Sequence, residues 1–93
     1  MPEIKSGNQV FYIEDNGQRT AEVTFSDMGD GVISIDHTFV SPALRGQGIA
    51  EQLIRKVIEH ARAQHLKIIP ACSYAGYHFD KFPEDRDVLS SRG

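Results

Sequence analysis

The 93-residue sequence has no tryptophan and a single cysteine, Cys72. One thiol cannot close an internal disulfide, which sets aside the stapled secreted scaffolds and fits a reducing, cytoplasmic setting. A cationic excess is also missing, since 10 Lys and Arg against 13 Asp and Glu leave a net charge of −3. Dedicated nucleic-acid binders show the opposite balance, so no nucleic-acid partner is expected. No stretch approaches the roughly 18 apolar residues of a membrane-crossing helix, and the N-terminal residues Met1 to Lys5 hold no apolar leader core. No membrane partner is expected either. Repeats, low-complexity runs and long Pro/Gly/Ser linkers are absent. What is present, 40% hydrophobic and 25% charged residues, is the composition of a globular chain. Residues 1–93 therefore read as a single domain, of a size that buries only about 60–65% of its unfolded surface.

The first part of the chain alternates with the period of strands. Residues 9–15 place Val10 and Tyr12 on one face and Phe11 and Ile13 on the other. Asn16-Gly17 is a dipeptide suited to a type I′ hairpin turn. Residues 19–26 alternate again, and the cluster Asp27-Met28-Gly29-Asp30-Gly31 marks a second turn. Residues 32–40 (VISIDHTFV), β-branched and aromatic, form the third strand of an antiparallel meander. The period then changes. From Ile49 the apolar residues Ala50, Leu53, Ile54, Val57, Ile58 and Ala61 fall on one face of a helix that ends near Gln64. Residues 66–70 read as a further strand, which a helix joins to the third strand in a parallel crossover. The segment 74–89 holds a short C-terminal helix interrupted at Pro83, with Glu84 to Asp87 as a solvated charged face. The fold class is α+β.

The segment between the third strand and the long helix carries the clearest chemistry. Arg45-Gly46-Gln47-Gly48 runs straight into a helix N-terminus, where backbone N–H groups lack intrahelical partners. The helix dipole adds partial positive charge, so the bend suits a phosphate. Gly46 and Gly48 allow close approach, Ala50 keeps the first turn slim, and Arg45 adds charge. Glu51 stands where a dinucleotide fingerprint needs its third glycine, and no Lys-Ser/Thr pair of a P-loop follows. An ordinary capped helix after a loop is the plain alternative.

Arg45-Gly46-Gln47-Gly48-Ile49-Ala50 resembles the Q/R-x-x-G-x-G/A motif of the GNAT superfamily of acetyl-CoA-dependent N-acetyltransferases. Val40-x-Pro42 resembles that family's strand-to-helix junction. His37-Thr38 and Pro70-Ala71-Cys72-Ser73-Tyr74 resemble a short single-domain subfamily, and the likeness runs over about residues 3 to 90. The resemblance implies a GNAT-like fold, acetyl-CoA as cosubstrate, and an amine acceptor. It implies that the Val40 backbone pairs with the pantetheine arm. The amides of Arg45, Gly46, Gln47, Gly48, Ile49 and Ala50 then hold the diphosphate. The chain also departs from the larger pattern. Too few residues precede the first hairpin for the usual N-terminal helices. Where many relatives carry Asn, Ala and Tyr, it has Cys72, Ala75 and Phe79. A CoA-binding module with little or no catalysis is the alternative these departures suggest, and an interaction domain without a nucleotide ligand is a third reading.

Acetyl transfer needs a deprotonated acceptor, a stabilised oxyanion and a proton for the thiolate leaving group. Cys72 directly follows the last strand, and a thiol there is a candidate nucleophile or proton donor. His37 is its candidate base or orienting partner, reached across neighbouring strands. The plain readings are a small buried hydrophobe for Cys72 and a core-margin histidine beside Ile33, Ile35 and Phe39 for His37. His60, His65 and His78 share no metal-ligand spacing. Tyr77, Phe79 and Phe82 read as packing, while Tyr74 is placed to line the cleft. An exposed sheet edge leaves the chain a monomer or a weak homodimer.

Overall fold

A computed structural model of the chain describes residues 3–91; Met1 and Pro2, part of the N-terminal reading, lie outside it, as do Arg92 and Gly93. Five strands form one sheet in the order of the chain: β1 (Lys5–Gly7), β2 (Val10–Asp15), β3 (Gln18–Gly29), β4 (Val32–Val40) and β5 (Lys67–Pro70). The first four pair antiparallel and β5 lies parallel to β4. Helix α1 (Ile49–Gln64) connects β4 to β5, and α2 (Ser73–Lys81) follows β5, with short 3-10 turns at Pro42–Leu44 and Pro83–Val88. The expected α+β order stands, with one addition. The short strand β1 is too polar (Lys5, Ser6, Gly7) to stand out by pattern, and it forms by pairing along β2.

The helix stripe read from the sequence is buried except at Ala50, which is only half-buried, and Ile49 joins it. Ile49, Leu53, Ile54, Val57, Ile58 and Ala61 are all buried, and they meet Ile13, Ala21, Val23, Ile33, Ile35 and Ile68 of the sheet. Apolar area removed from water here is the main favourable contribution, about 25 cal/mol per Å². His65, in the left-handed region at φ 58°, stops the helix, while Leu66 N–H donates back to Ala61 O at 2.8 Å. Asn16 and Gly17 form the first hairpin turn as expected, both at positive φ.

Strand β4 is not a simple alternation. Ile35 pairs with Phe25 and His37 with Thr24, so Asp36 is an extra residue. Its carboxylate accepts hydrogen bonds from Ser26 Oγ and Ser34 Oγ, each at 2.7 Å, which fixes the bulge. One added residue reverses the facing of everything beyond it. Ile33 and Ile35 point into the core before the bulge; Thr38 and Val40 are the buried residues after it, and His37 and Phe39 are exposed. His37 therefore does not share a face with Ile33 and Ile35 as the unbroken pattern implies.

The charged C-terminal stretch also differs from expectation. Asp85 is buried rather than solvated, with its side chain only 4% exposed. It draws together Arg55 Nη1 (3.1 Å), Arg62 Nη2 (3.1 Å) and His78 Nε2 (2.9 Å), and thus ties α1 to α2 and to the turn after it. Arg62 reaches Asp87 as well, at 2.6 Å. Burial alone pushes the Asp85 carboxyl up. The hydrogen bonds from His78 and Arg62, with the charge of Arg55, outweigh that and hold it below its usual value.

Because the folded carboxyl lies below its unfolded value, its stabilisation is complete above the unfolded value and is lost as pH falls through the folded one. Asp85→Asn should cost about 2–3 kcal/mol at pH 7, the worth of hydrogen bonds to charged groups. In urea denaturation from pH 7 to pH 3, the gap between wild type and variant should close toward the acid end. A gap that stays constant overturns the assignment.

Candidate functional site

The parallel ladder of β4 and β5 is short. It runs from Val32–Lys67 to Ile35–Pro70 and stops there. Ala71 N–H and Cys72 N–H then both donate to Ile35 O at 3.1 Å, and the chain turns away into α2. Strand β4 continues to Val40 without β5 beside it. Ser41 N–H donates to Thr20 O of β3. By the two-residue alternation of a ladder, Val40 and Thr38 turn their main-chain groups the other way, into the gap. The result is a fork with an unpaired strand edge along one arm.

At the foot of that edge lies the glycine bend. Gly46 and Gly48 sit in the left-handed region at φ +84° and +72°, and an added Cβ at either meets no atom within 4 Å. Gly48 is the N-cap of α1, without a side-chain cap, and the first helical bond is Gln52 N–H to Gly48 O. The N–H groups of Gln47, Gly48, Ile49, Ala50 and Glu51 have no protein acceptor among the described residues. Open space, positive dipole and free donors coincide there, which fits an anion. Arg45 Nε bonds Val40 O at 3.3 Å, so its guanidinium bridges the bend and the strand edge.

Two adjoining cavities line this region. One of about 290 Å³ is bounded by Val40, the bend and Tyr74. The other, about 220 Å³, continues between α1 and α2 along Tyr77, His78, Lys81 and Phe82. Glu51 lies on both and is flanked by Arg55 (3.7 Å) and Lys81 (3.9 Å), which offset a carboxylate otherwise unfavourable beside an anion. Of the expected binding residues, the structure gathers Val40, Arg45, Gly46, Gly48, Ile49, Ala50 and Tyr74 around one cavity. Gln47 belongs to the same bend, its side-chain amide 3.5 Å from Ala43 O.

The expected pair of Cys72 and His37 is not brought together. Cys72, the half-buried N-cap of α2, has its Sγ 3.3 Å from Thr38 Oγ1. His37 lies on the opposite face of β4, with its side chain 59% exposed and its Nε2 3.8 Å from Glu22 Oε2. The Asp36 bulge is the reason, since it assigns the Cys72 side of the strand to Thr38. Phe79, where the family resemblance leads one to expect a tyrosine, is buried in the core. Thr38 and Lys81 are site residues the sequence reading passed over, and Tyr77 is one it read as packing. Only the bulge places the first, whereas helical spacing along α2 marks the others, Tyr77 three residues after Tyr74 and Lys81 four after Tyr77. Among the described residues no group of His, Cys, Asp and Glu is arranged to hold a metal ion.

Comparison with known proteins identifies the family and the fold. The family described as GCN5-related N-acetyl-transferase matches residues 10–88. The chain is similar to a GCN5-like candidate N-acetyltransferase from Staphylococcus aureus whose solution structure is known, with 43% identity over 95% of this chain and 87% of that one and a TM-score of 0.80. It also resembles N-acetylglutamate synthase from Neisseria gonorrhoeae, solved with coenzyme A and N-acetyl-glutamate (19% identity, 64% of this chain, 15% of that chain, TM-score 0.57). A third similar structure is ribosomal-protein-alanine N-acetyltransferase from Brucella melitensis biovar Abortus 2308 (20% identity, 88% and 63%, TM-score 0.56). At the last two identities the likeness concerns the fold.

The backbone of the bend sets a test of its own. Gly46→Ala and Gly48→Ala each place a side chain at positive φ with no clash, so each should cost about 1–2 kcal/mol from conformation alone. Gly76→Ala, inside α2 with equal room, should instead stabilise by about 0.5–1 kcal/mol. Urea denaturation of the three variants checks both signs.

Proposed function

The chain belongs to the GCN5-related N-acetyltransferase family, and on that premise we propose that it moves the acetyl group of acetyl-CoA to an amine. The observation that carries this reading is the fork between β4 and β5 directly above a helix N-terminus with free N–H donors. An arm bearing amides at one end and a diphosphate at the other matches that order of groups. The pantetheine arm adds to the edge of β4, with Val40 as its main-chain partner. The Arg45 N–H already donates to Pro42 O at 3.3 Å, so the amides of Gly46 to Ala50 receive the diphosphate, and the Arg45 side chain exchanges its bond to Val40 O for a phosphate oxygen. Tyr74 closes the side of the cleft.

The thioester end then reaches the head of the fork beside Cys72. Two proton movements accompany transfer: the amine nitrogen loses one and the departing coenzyme sulfur gains one. Cys72 serves the sulfur. His37, reassigned from the partner of Cys72, stands on the exposed face of β4 with Glu22 at hand, and it serves the amine. Transfer is direct from coenzyme to acceptor in a ternary complex. A second reading, a coenzyme-binding module with little catalysis, is favoured by one observation: Phe79, at the position of the family's tyrosine, has no proton to give.

Calorimetric titration with acetyl-CoA tests the site. Gly48→Val should weaken binding by about 1–3 kcal/mol, since it fills the space where backbone and ligand meet; a folded variant of unchanged affinity refutes the cleft. Tight binding with no turnover across a panel of primary amines selects the second reading. Intact mass after incubation with acetyl-CoA should show no acetyl adduct on Cys72.

A further inference from the structure

At the head of the cleft Thr38 Oγ1 and Cys72 Sγ lie 3.3 Å apart. Thr38 is buried, and this sulfur is the one side-chain partner its hydroxyl has among the described residues. Either atom can donate across this contact while Cys72 is a thiol; once the sulfur is a thiolate only the hydroxyl can, and its hydrogen then points at sulfur. Cys72 is also the N-cap of α2, a helix of nine residues, and its side chain makes no cap hydrogen bond of its own. A hydroxyl at this distance can donate to the sulfur at the moment it carries negative charge. The cleft, with its free amides and family membership, supplies the reaction in which such a sulfur has a use.

We propose that Thr38 is the positioning residue that holds Cys72 as proton carrier for the leaving thiolate, a role resting on the transfer reaction proposed above. The amine nitrogen forms its bond to the acetyl carbon and the carbon–sulfur bond of the thioester breaks, leaving its electron pair on the coenzyme sulfur. The Cys72 thiol passes its proton to that sulfur. The Cys72 thiolate left behind is held by the Thr38 O–H. The proton that the amine gives up to His37 returns through solvent to Cys72. One proton moves, in sum, from amine to coenzyme, and Cys72 ends as it began. The threonine hydroxyl thus occupies the place that the unbroken strand pattern offers to His37.

Two measurements on Thr38→Val and Thr38→Ser test this. Alkylation of Cys72 by iodoacetamide in the ligand-free protein, followed by mass, should slow about two- to tenfold in Thr38→Val, the span of one neutral hydrogen bond. Thr38→Ser should restore it. With acetyl-CoA and an amine that supports turnover, kcat should fall by a similar factor in Thr38→Val while KM and the calorimetric affinity for acetyl-CoA stay unchanged, which also shows the variant is folded. An alkylation rate equal to wild type overturns the Thr38 assignment and leaves the transfer reaction standing. Wild-type protein with no turnover on any amine removes the transfer reaction, and the proton-carrying role with it.

Discussion

The architecture of the site depends on one carbonyl oxygen. Ile35 O accepts from both Ala71 and Cys72, and that convergence ends the β4–β5 ladder while β4 still has residues to run. Had the ladder continued, the Thr38 and Val40 main-chain groups would be taken up by a neighbouring strand. Because it stops, they face a gap, and the same turn starts α2 with Cys72 at its cap. Strand edge, thiol and helix wall all follow from where pairing ceases.

The wall of the cleft is held differently from its floor. The floor is α1 against the sheet, an apolar interface of isoleucines, leucine and valines. The wall, α2, owes much of its placement to charge: Asp85 gathers Arg55, Arg62 and His78, and Arg55 also lies over the Phe82 ring at 4.5 Å. A buried carboxylate with these partners specifies one arrangement of α1, α2 and the turn after it, because any shift leaves a charge without compensation. Precision at the glycine bend is backbone-encoded, and at the α2 wall it is electrostatic.

The parts legible in the sequence are those set by local physics. The α1 stripe, the Asn16-Gly17 turn and the glycine bend each announce themselves within a few residues, through period or through permitted φ. What was not legible involves partners far apart in the chain. VISIDHTFV permits either phase after Ile35, and only Ser26 and Ser34 closing on Asp36 select the one that is found. The pairing of Thr38 with Cys72 spans 34 positions and follows from that choice. Asp85 sits in a run of charges that reads as solvated; its burial reflects two arginines and a histidine from other turns of helix. Strand β1 has no signature beyond the strand it accompanies.

The unpaired edge has a definite length. From Asp36 to Val40 it covers five residues, roughly 17 Å at the rise of a strand, less what the bulge takes up. One end opens onto the glycine bend and the other is blind, closed by an oxygen already engaged twice. In the transfer proposed above, an arm anchored at the bend lies along this edge, and its reach as well as its chemistry decides whether its tip meets the sulfur.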